Sequence, residues 1–241
     1  MKPSTVILAA GDFPRKGGAA WTLLVSAKRV VACDSAADAY HRRFRKWPDV
    51  IIGDLDSIVP SPSSATGAVT EDPPAASPGE AAAKRSPEVC ASRRGRRRCG
   101  VTTVRISDQD TNDLEKAMSY CAKRGWKNPV IVGATGKRED HTIGNVFRAL
   151  DYGLTVVSDF GTFRPVCGRR SFRACKGAGV SVFAPDGMTQ MTSRGLVWPL
   201  DGVRFENLYC ATLNRCAGRT FSVTSDRPVM VYVERTNDEG K

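Results

Sequence analysis

Histidine is scarce in this 241-residue chain, which has only two, and none of its eight cysteines forms a C-x-x-C pair. A structural zinc site is therefore disfavoured, because such sites need closely spaced Cys and His ligands. Apolar runs are also short, and none approaches the roughly 20 residues that a membrane-spanning helix requires. The first residues lead directly into a strand-like segment without a signal-peptide pattern. We therefore expect a cytoplasmic protein without a membrane partner, in which the cysteines stay reduced.

Basic residues outnumber acidic ones, giving a formal net charge of +11. Such an excess suits a protein that binds nucleic acid, and it also suits an enzyme of anionic substrates. The arginines at 93, 94, 96, 97 and 98 are nearly consecutive, but residues 60–100 contain no aromatic side chain on which bases would stack. We therefore disfavour nucleic acid as a partner and keep a basic nucleic-acid-binding protein as an alternative interpretation.

Apolar runs alternate with helix-like segments over residues 5–59 and again over 101–158, which is typical of an α/β fold. Continuous Val/Ile runs predict strands of a parallel, Rossmann-like sheet that is buried on both faces. Helices are predicted at 19–27, at 35–46, after Asp110 or Thr111 as N-cap, and near 143–152. Residues 60–100 have six prolines and no periodicity, so we predict that they form a disordered insertion.

The pattern changes after about residue 159, where short apolar segments are separated by turn residues such as Pro185-Asp186-Gly187. This spacing predicts antiparallel strands in a sandwich or barrel, at 172–175, 180–183, 188–192, 196–200, 204–208, 220–223 and 229–234. We therefore divide the chain into an α/β domain at 1–159 and an all-β sandwich domain at 160–241.

Acidic residues follow several of the predicted strands: Asp34, then Asp54 and Asp56, and then Asp113. Ligands of open parallel sheets bind outside the carboxyl ends of the strands, so we expect these side chains to converge. Crowded carboxylates repel one another, and a divalent cation relieves that repulsion. The sequence therefore predicts a metal–phosphate site with Asp34, Asp54, Asp56 and Asp113 as ligands.

Each acidic cluster also has a purely structural interpretation. The sequence Gly-Asp-x-Asp-Ser at 53–57 favours a turn, and an acidic residue before a helix is an ordinary N-cap. Arg138 and Asp140 could form an ordinary solvated ion pair. Capping needs only one acid, whereas 108–113 contains three, so the functional interpretation is favoured. Gln109 and Asn112 add neutral donors that can meet phosphate or adenine.

Together these residues resemble the thiamine pyrophosphokinase family. The resemblance covers nearly the whole chain except 60–100, and it implies an α/β catalytic domain followed by a β-sandwich. It also implies transfer of a pyrophosphoryl group from ATP to thiamine with release of AMP, by a homodimer whose sites are shared between subunits. The matching segments are Cys33-Asp34, Gly53-Asp54-Leu55-Asp56-Ser57, Asp108-Gln109 with Asp113 and Lys116, Arg138-Glu139-Asp140-His141-Thr142 with Asn145, and Gly195-Leu196-Val197-Trp198-Pro199-Leu200.

The resemblance implies roles for individual residues. Mg²⁺ would be held by the four aspartates, and Asp56, Arg138 and Asp140 would be catalytic, with Arg138 clamping phosphate and Asp140 orienting or deprotonating the thiamine hydroxyl. Leu213 departs from the family, which usually has serine at that position. Another Mg²⁺-dependent nucleotide transferase is the alternative interpretation of the function. Contacts with ATP or thiamine are expected from Gln109, Thr111, Asn112, His141, Asn145, Trp198 (stacking on thiamine), Thr212 and Asn214.

Overall fold

The computed structural model describes residues 3–54, 69–71, 100–106, 108 and 110–236. Asp56 and Gln109 lie outside the described residues, and so does most of the predicted insertion at 60–100. Within that insertion, residues 69–71 form a strand that pairs in parallel with 103–105. The prediction of a disordered or poorly ordered insertion is therefore wrong for these three residues.

The first part of the chain alternates strands and helices, as predicted. Among the described residues up to 157, the seven strands pair in parallel, in the order β4-β5-β3-β2-β1-β6-β7. The elements are β1 (Thr5–Leu8), α1 (Ala19–Ser26), β2 (Arg29–Cys33), α2 (Ala36–Phe44), β3 (Val50–Gly53), β4 (Val69–Glu71), β5 (Thr102–Arg105), α3 (Asp113–Lys123), β6 (Val130–Val132), α4 (Glu139–Asp151) and β7 (Thr155–Val157).

Helices cover both faces of this sheet, which explains its unbroken apolar strands. In β1, Ile7 packs with residues of α3 and α4, including Met118 and Ala149. Its neighbours Val6 and Leu8 point to the other face and pack with residues of α1 and α2, including Leu24. Successive side chains of a strand point to opposite faces, so β1, β2, β3, β6 and β7 each contribute to two cores.

The remaining strands are antiparallel, and they continue the same sheet. Strand β8 pairs antiparallel with β7, so the described strands form one mixed sheet of twelve. A further core, which includes Phe172, Val182 and Phe221, lies among these later strands. The later elements are β8 (Gly161–Arg173), β9 (Gly179–Phe183), β10 (Met191–Arg194), β11 (Ala211–Arg215) and β12 (Thr220–Glu234).

The structure corrects the predicted strand pattern in this region. Two long strands, β8 and β12, replace several short ones, and residues 196–200 and 204–208 are not strands; Leu196 makes only an isolated bridge with Cys216. Strand β12 pairs with β10 along its first half and with β9 along its second, and its register with β8 shifts between Ser225 and Val229. None of the helices in the described ranges has the length and apolar character needed to cross a bilayer.

Candidate active site

A cleft of about 290 Å³ opens where the strand order reverses. From β1 the chain builds β2 and β3 on one side, and later places β6 on the other side of β1. The helices that follow β1 and β6, α1 and α4, lie on opposite faces of the sheet, and ligands of open parallel sheets bind at such a point, outside the carboxyl ends of the strands. Five of the predicted site residues line the cleft: Asn112, Asp113, Arg138, His141 and Asn145.

Asp34 is placed by an unusually close approach of two strands. Its backbone N–H donates to the carbonyl of Ile52 at 2.7 Å, and its side chain is buried. A Cβ added at Gly53 would lie 2.9 Å from the Cβ of Asp34, so only glycine fits at the end of β3. Asp54, the next residue, therefore leaves β3 beside Asp34.

Asp113 is the first residue of α3, and it lies in the field of both other aspartates. Burial raises the pKa of Asp113, the positive charge of Lys116 opposes that rise, and the negative charges of Asp34 and Asp54 add to it. The Nζ atom of Lys116, a buried lysine, is 3.5 Å from Oδ1 of Asp113. The carboxylates of Asp34 and Asp54 thus act on that of Asp113, and the charge of Lys116 opposes their effect.

The helix cap that holds Asp113 differs from the prediction. Neither Asp110 nor Thr111 is the N-cap of α3; Asn112 is, and its Oδ1 accepts the N–H of Glu115 at 2.8 Å. The Thr111 hydroxyl instead donates to Asp108 at 2.6 Å, and this hydrogen bond is the main reason that the pKa of Asp108 is lowered. The role of Thr111 in substrate binding stays a prediction.

Helix α4 begins at Glu139, four residues before the predicted start, so Asp140 and His141 lie in its first turn. Arg138 precedes the helix, and its guanidinium pairs with the Asp140 carboxylate at 2.6 Å. This hydrogen bond lowers the pKa of Asp140. Both side chains are largely exposed, so the pair contributes little to stability and is available for an anion.

Asn145 connects the two helix starts across the cleft. Its Nδ2 donates to the carbonyl of Ala134 at 3.1 Å, and its Oδ1 accepts from Nδ2 of Asn112 at 3.5 Å. Sequence reasoning missed two further lining residues, Cys33 and Lys137. Lys137 donates to the carbonyl of Ala10 at 2.8 Å and follows a glycine-rich turn, which was the available signal.

The side chain of Cys33 lines the cleft, and its thiol is protonated and unreactive. Burial raises the pKa of its thiol well above the ordinary value, and the nearby charge of Asp113 raises it further. The thiol donates to the backbone carbonyl of Asp113 at 3.5 Å. A thiol in such surroundings is not a nucleophile.

A second cavity of about 300 Å³ adjoins the cleft, and Gly136 lines both. Its polar lining includes Asp12, Arg15 and Asp159, and its aromatic lining is Phe13 and Phe160. Two backbone hydrogen bonds join the loop after β1 to the loop after β6. The N–H of Gly11 donates to the carbonyl of Gly133 at 2.7 Å, and the N–H of Asp12 donates to the carbonyl of Thr135 at 2.8 Å.

The predicted residues of the later strands are grouped away from this cleft, whose thirteen described lining residues all lie at or before Asn145. Trp198 is 56% exposed, and its backbone is fixed by Asn214, whose Oδ1 accepts the Trp198 N–H at 3.2 Å and whose Nδ2 donates to the Trp198 carbonyl at 2.7 Å. Because Asn214 is buried and engaged in this way, it acts here as a support for Trp198. Thr212 lies nearby on β11, where its hydroxyl donates to the carbonyl of Tyr209.

The largest cavity that we describe, about 990 Å³, lies in the antiparallel region between the 187–192 and 202–206 segments. None of the predicted site residues lines it. The chemistry of the 290 Å³ cleft, rather than cavity size, therefore identifies the candidate active site.

The donor set of the cleft fits Mg²⁺. Within the described residues no three acidic, His or Cys side chains form a complete metal cage. Mg²⁺ does not need one, because it keeps several waters and is commonly bound by one or two carboxylates together with substrate phosphates. Burial and the neighbouring negative charges of Asp34 and Asp54 raise the pKa of Asp113. A divalent cation bound beside these carboxylates would relieve their mutual repulsion.

Two family models match the sequence. The thiamin pyrophosphokinase catalytic domain matches residues 84–155, and the thiamin pyrophosphokinase substrate-binding domain matches residues 161–232. The first match begins inside the 60–100 segment, which the resemblance had left out. A search among curated protein sequences finds no match.

Solved structures share the fold at low sequence identity. Thiamin pyrophosphokinase from Candida albicans is 14% identical, with a TM-score of 0.65 over 97% of this chain and 90% of that one. The yeast enzyme is 13% identical, with a TM-score of 0.65 over 99% and 88%. The Bacillus subtilis enzyme is 14% identical, with a TM-score of 0.62 over 97% and 99%. These likenesses show the fold, and the two domain models together match more than half of the sequence. The chain therefore belongs to the thiamin pyrophosphokinase family of transferases.

Proposed function

We propose that this enzyme transfers the pyrophosphoryl group of ATP to the hydroxyl of thiamine, giving thiamine pyrophosphate and AMP. The observation that carries the proposal is the meeting of Asp34, Asp54 and Asp113 at the switch point of the sheet, beside Arg138 and His141. Phosphoryl-transfer sites work mainly by positioning and by neutralising charge, and this cleft offers groups for both.

Asp34, Asp54 and Asp113 would hold Mg²⁺, and Asp56 stays a predicted fourth ligand outside the described residues. When bound, the cation would neutralise phosphate charge and favour attack at the β-phosphorus. Lys116, buried against Asp113, would keep that carboxylate oriented towards the cleft. Asn112 and Asn145, which hydrogen-bond across the cleft, supply neutral donors for phosphate oxygens.

Arg138 and Asp140 would act at the reacting end of ATP. Arg138 has a fork of donors suited to a phosphate, and it lines the cleft in an exposed position. The hydrogen bond from Arg138 lowers the pKa of Asp140 and so makes its carboxylate a weaker base. We therefore assign Asp140 to orienting the thiamine hydroxyl rather than to deprotonating it.

The second cavity would take the adenosine part of ATP. It adjoins the cleft through Gly136, and its aromatic walls, Phe13 and Phe160, offer flat surfaces to a base. Arg15 lies over the Phe160 ring at 5.0 Å, which leaves a positive group at the cavity rim. A nucleotide spanning both cavities would place its phosphates next to the aspartates.

Thiamine would be bound by residues of both halves of the chain, in a homodimer. Trp198, Thr212 and Asn214 are grouped on the later strands, whereas the lining of the cleft ends at Asn145. We propose that two copies assemble so that the later strands of one complete the cleft of the other. The exposed apolar residues around Trp198, namely Val197, Leu208, Tyr209 and Leu213, would be covered in that assembly.

The test of the reaction is AMP release from ATP and Mg²⁺, measured with and without thiamine. The proposal predicts AMP and thiamine pyrophosphate in equal amounts, and only when thiamine is present. AMP formation that is independent of thiamine would instead indicate another nucleotide transferase.

Trp198→Ala should raise KM for thiamine far more than KM for ATP. The ring is exposed and stands on a fixed backbone, so its loss should leave the fold intact and remove a cation–π contact of about 0.5–2 kcal/mol. Separate titrations of the two substrates measure this difference. Asn214→Ala is the matched variant, and it should raise KM for thiamine in the same way while also lowering the melting temperature, because it removes both hydrogen bonds to the Trp198 backbone. Equal changes in both KM values would contradict the stacking role.

Mixing two differently impaired variants, at a thiamine concentration well below the raised KM of Trp198→Ala, tests whether the site is shared. Trp198→Ala and Asp54→Asn each damage a different part of the composite site, so a heterodimer would contain one site with neither substitution. We expect mixing to restore up to about one quarter of wild-type activity per total protein after subunit exchange, since half of the dimers are mixed and each holds one intact site. Subunit exchange is verified with two affinity tags. Confirmed exchange without recovered activity would show that each chain builds its own site.

A further inference from the structure

Where strands β8, β12 and β10 pair side by side, over residues 169–173, 220–224 and 192–194, their outer face carries only arginine, serine and threonine. Strand β12 lies in the middle, with β8 and β10 paired antiparallel on its two sides. The alternate residues of these strands, including Phe172, Val223 and Met191, are buried in the core. The pleat of the strands therefore fixes the other set outward. We call the outward set the arginine face; its charged members are Arg169, Arg173 and Arg194.

Hydroxyl side chains fill the positions between these arginines. On β8 and β12, Arg173 lies opposite Thr220, Ser171 opposite Ser222 and Arg169 opposite Thr224. On the other side of β12, Ser222 lies opposite Arg194 of β10, and Thr224 lies opposite Thr192. Seven of these eight residues are exposed, and Ser222 is half-buried. The face thus presents hydrogen-bond donors of two kinds, with no apolar or acidic position among them.

The positive charge of this face is not balanced within the described residues. Arg148 and Arg227 show the contrast, since they pair with Glu115 and Asp186 respectively, whereas Arg169, Arg173 and Arg194 form no ion pair with a described carboxylate. Asp226 borders the face, and its carboxylate accepts the N–H of Gln190 at 2.8 Å. The arginine face is therefore a charged surface suited to an anionic partner from outside.

The spacing of the arginines suits an extended anion. Four residues of strand place the Cα atoms of Arg169 and Arg173 about 13 Å apart, and two strand spacings place Arg194 about 10 Å from β8. A chain of phosphates would meet all three guanidinium groups, while the hydroxyls between them would donate to the intervening oxygens. A second copy of the same face would bring arginine against arginine in a two-fold dimer, which disfavours self-association.

We propose that the arginine face binds the sugar–phosphate backbone of a nucleic acid duplex without reading its sequence. The face has no aromatic side chain for stacking on bases, which favours a duplex over a single strand. It also has no apolar side chain to insert into a bilayer, which disfavours an anionic membrane. The overall charge of +11 would assist the encounter. This binding is separate from the proposed transfer reaction, since none of these residues lines the cleft.

The test measures binding of the full chain to a fluorescein-labelled 20-base-pair DNA duplex of arbitrary sequence, over a range of salt concentrations. R169S/R173S/R194S is compared with wild type and with the control K28S/R42S/K127S, which removes the same charge from exposed positions elsewhere. Each lost phosphate contact should reduce the steepness of the slope of log K against log salt by about 0.9. The slope of the face variant should therefore be less steep by about 2.7, and that of the control should change much less. Unchanged AMP formation confirms that the face variant is folded.

Two results would overturn the proposal. Equal slopes for wild type and the face variant would place any duplex binding elsewhere, for example at the arginine run of residues 93–98. Binding to phosphatidylserine vesicles without binding to the duplex would make a membrane the partner instead. Loss of duplex binding in the face variant alone would support the assignment.

Discussion

Asp54→Asn is expected to lower AMP formation at least ~100-fold while leaving the protein folded. The substitution removes one of the carboxylates that would hold Mg²⁺, and a group that stabilises transition-state charge contributes on that scale. The raised pKa of Asp113, due to burial and in part to the charge of Asp54, means that ionised Asp113 costs folding free energy at neutral pH. Neutralising Asp54 reduces this cost, so the melting temperature should stay constant or rise.

The control for this prediction is Asp151→Asn. Asp151 is an exposed carboxylate on α4 whose Oδ2 lies 3.6 Å from Arg148, and an exposed pair of this kind contributes little. AMP formation and melting temperature should both match wild type. Melting curves and AMP assays on both variants separate loss of the site from loss of the fold. Normal turnover by Asp54→Asn would rule out its assignment as a ligand.

Gly11→Ala should both destabilise the protein and inactivate it. A Cβ at this position would lie 2.5 Å from the carbonyl oxygens of Gly133 and Thr135, which are backbone atoms that cannot rotate away. Forcing the two loops apart should cost about 1–3 kcal/mol of stability, as overpacking generally does. These loops line the cleft, and a displacement of about 1 Å at such a site can reduce the rate about 100-fold.

The matched control is Gly144→Ala, in the middle of α4. Apart from its chain neighbours and the backbone of its own helix, no described atom lies within 4 Å of a Cβ built there, and the helical backbone suits alanine. This variant should gain about 0.4–1 kcal/mol, because alanine has less freedom in the unfolded chain. Thermal melts of both variants give the comparison. If Gly11→Ala melts and turns over like wild type, the close contact between the two loops is not required.

The sequence predicted the parallel half of the fold closely because the relevant signals are local. Continuous Val/Ile runs such as Arg29–Cys33 can be buried only between two layers of helices, so they indicate a parallel sheet. That sheet type brings the carboxyl ends of its strands to one edge, which is why Asp34, Asp54 and Asp113 were expected together. The electrostatic effects of Asp34 and Asp54 on Asp113 agree with that expectation.

The cap and the start of the helices depended on choices that the sequence leaves open. Asp110, Thr111 and Asn112 are all good N-caps, and the hydrogen bond of Thr111 to Asp108 leaves Asn112 to cap α3. Similarly, Glu139 and Asp140 were expected before α4 and instead form its first turn, where negative charge is favoured by the helix dipole.

Contacts between distant segments were decided by the tertiary structure alone. The merging of short apolar segments into β8 and β12 depends on pairing between residues up to 73 apart, such as Gly161 with Glu234, and no local pattern specifies such a register. The same holds for Cys33 and Lys137, which meet at the cleft because β2 and β6 flank β1 on its two sides. The chain by itself therefore determined which residues stand at strand ends, since burial and periodicity act over a few residues. Packing between segments far apart in sequence decided which of them face one cleft, because that depends on strand order and on close backbone approaches such as those at Gly11 and Gly53.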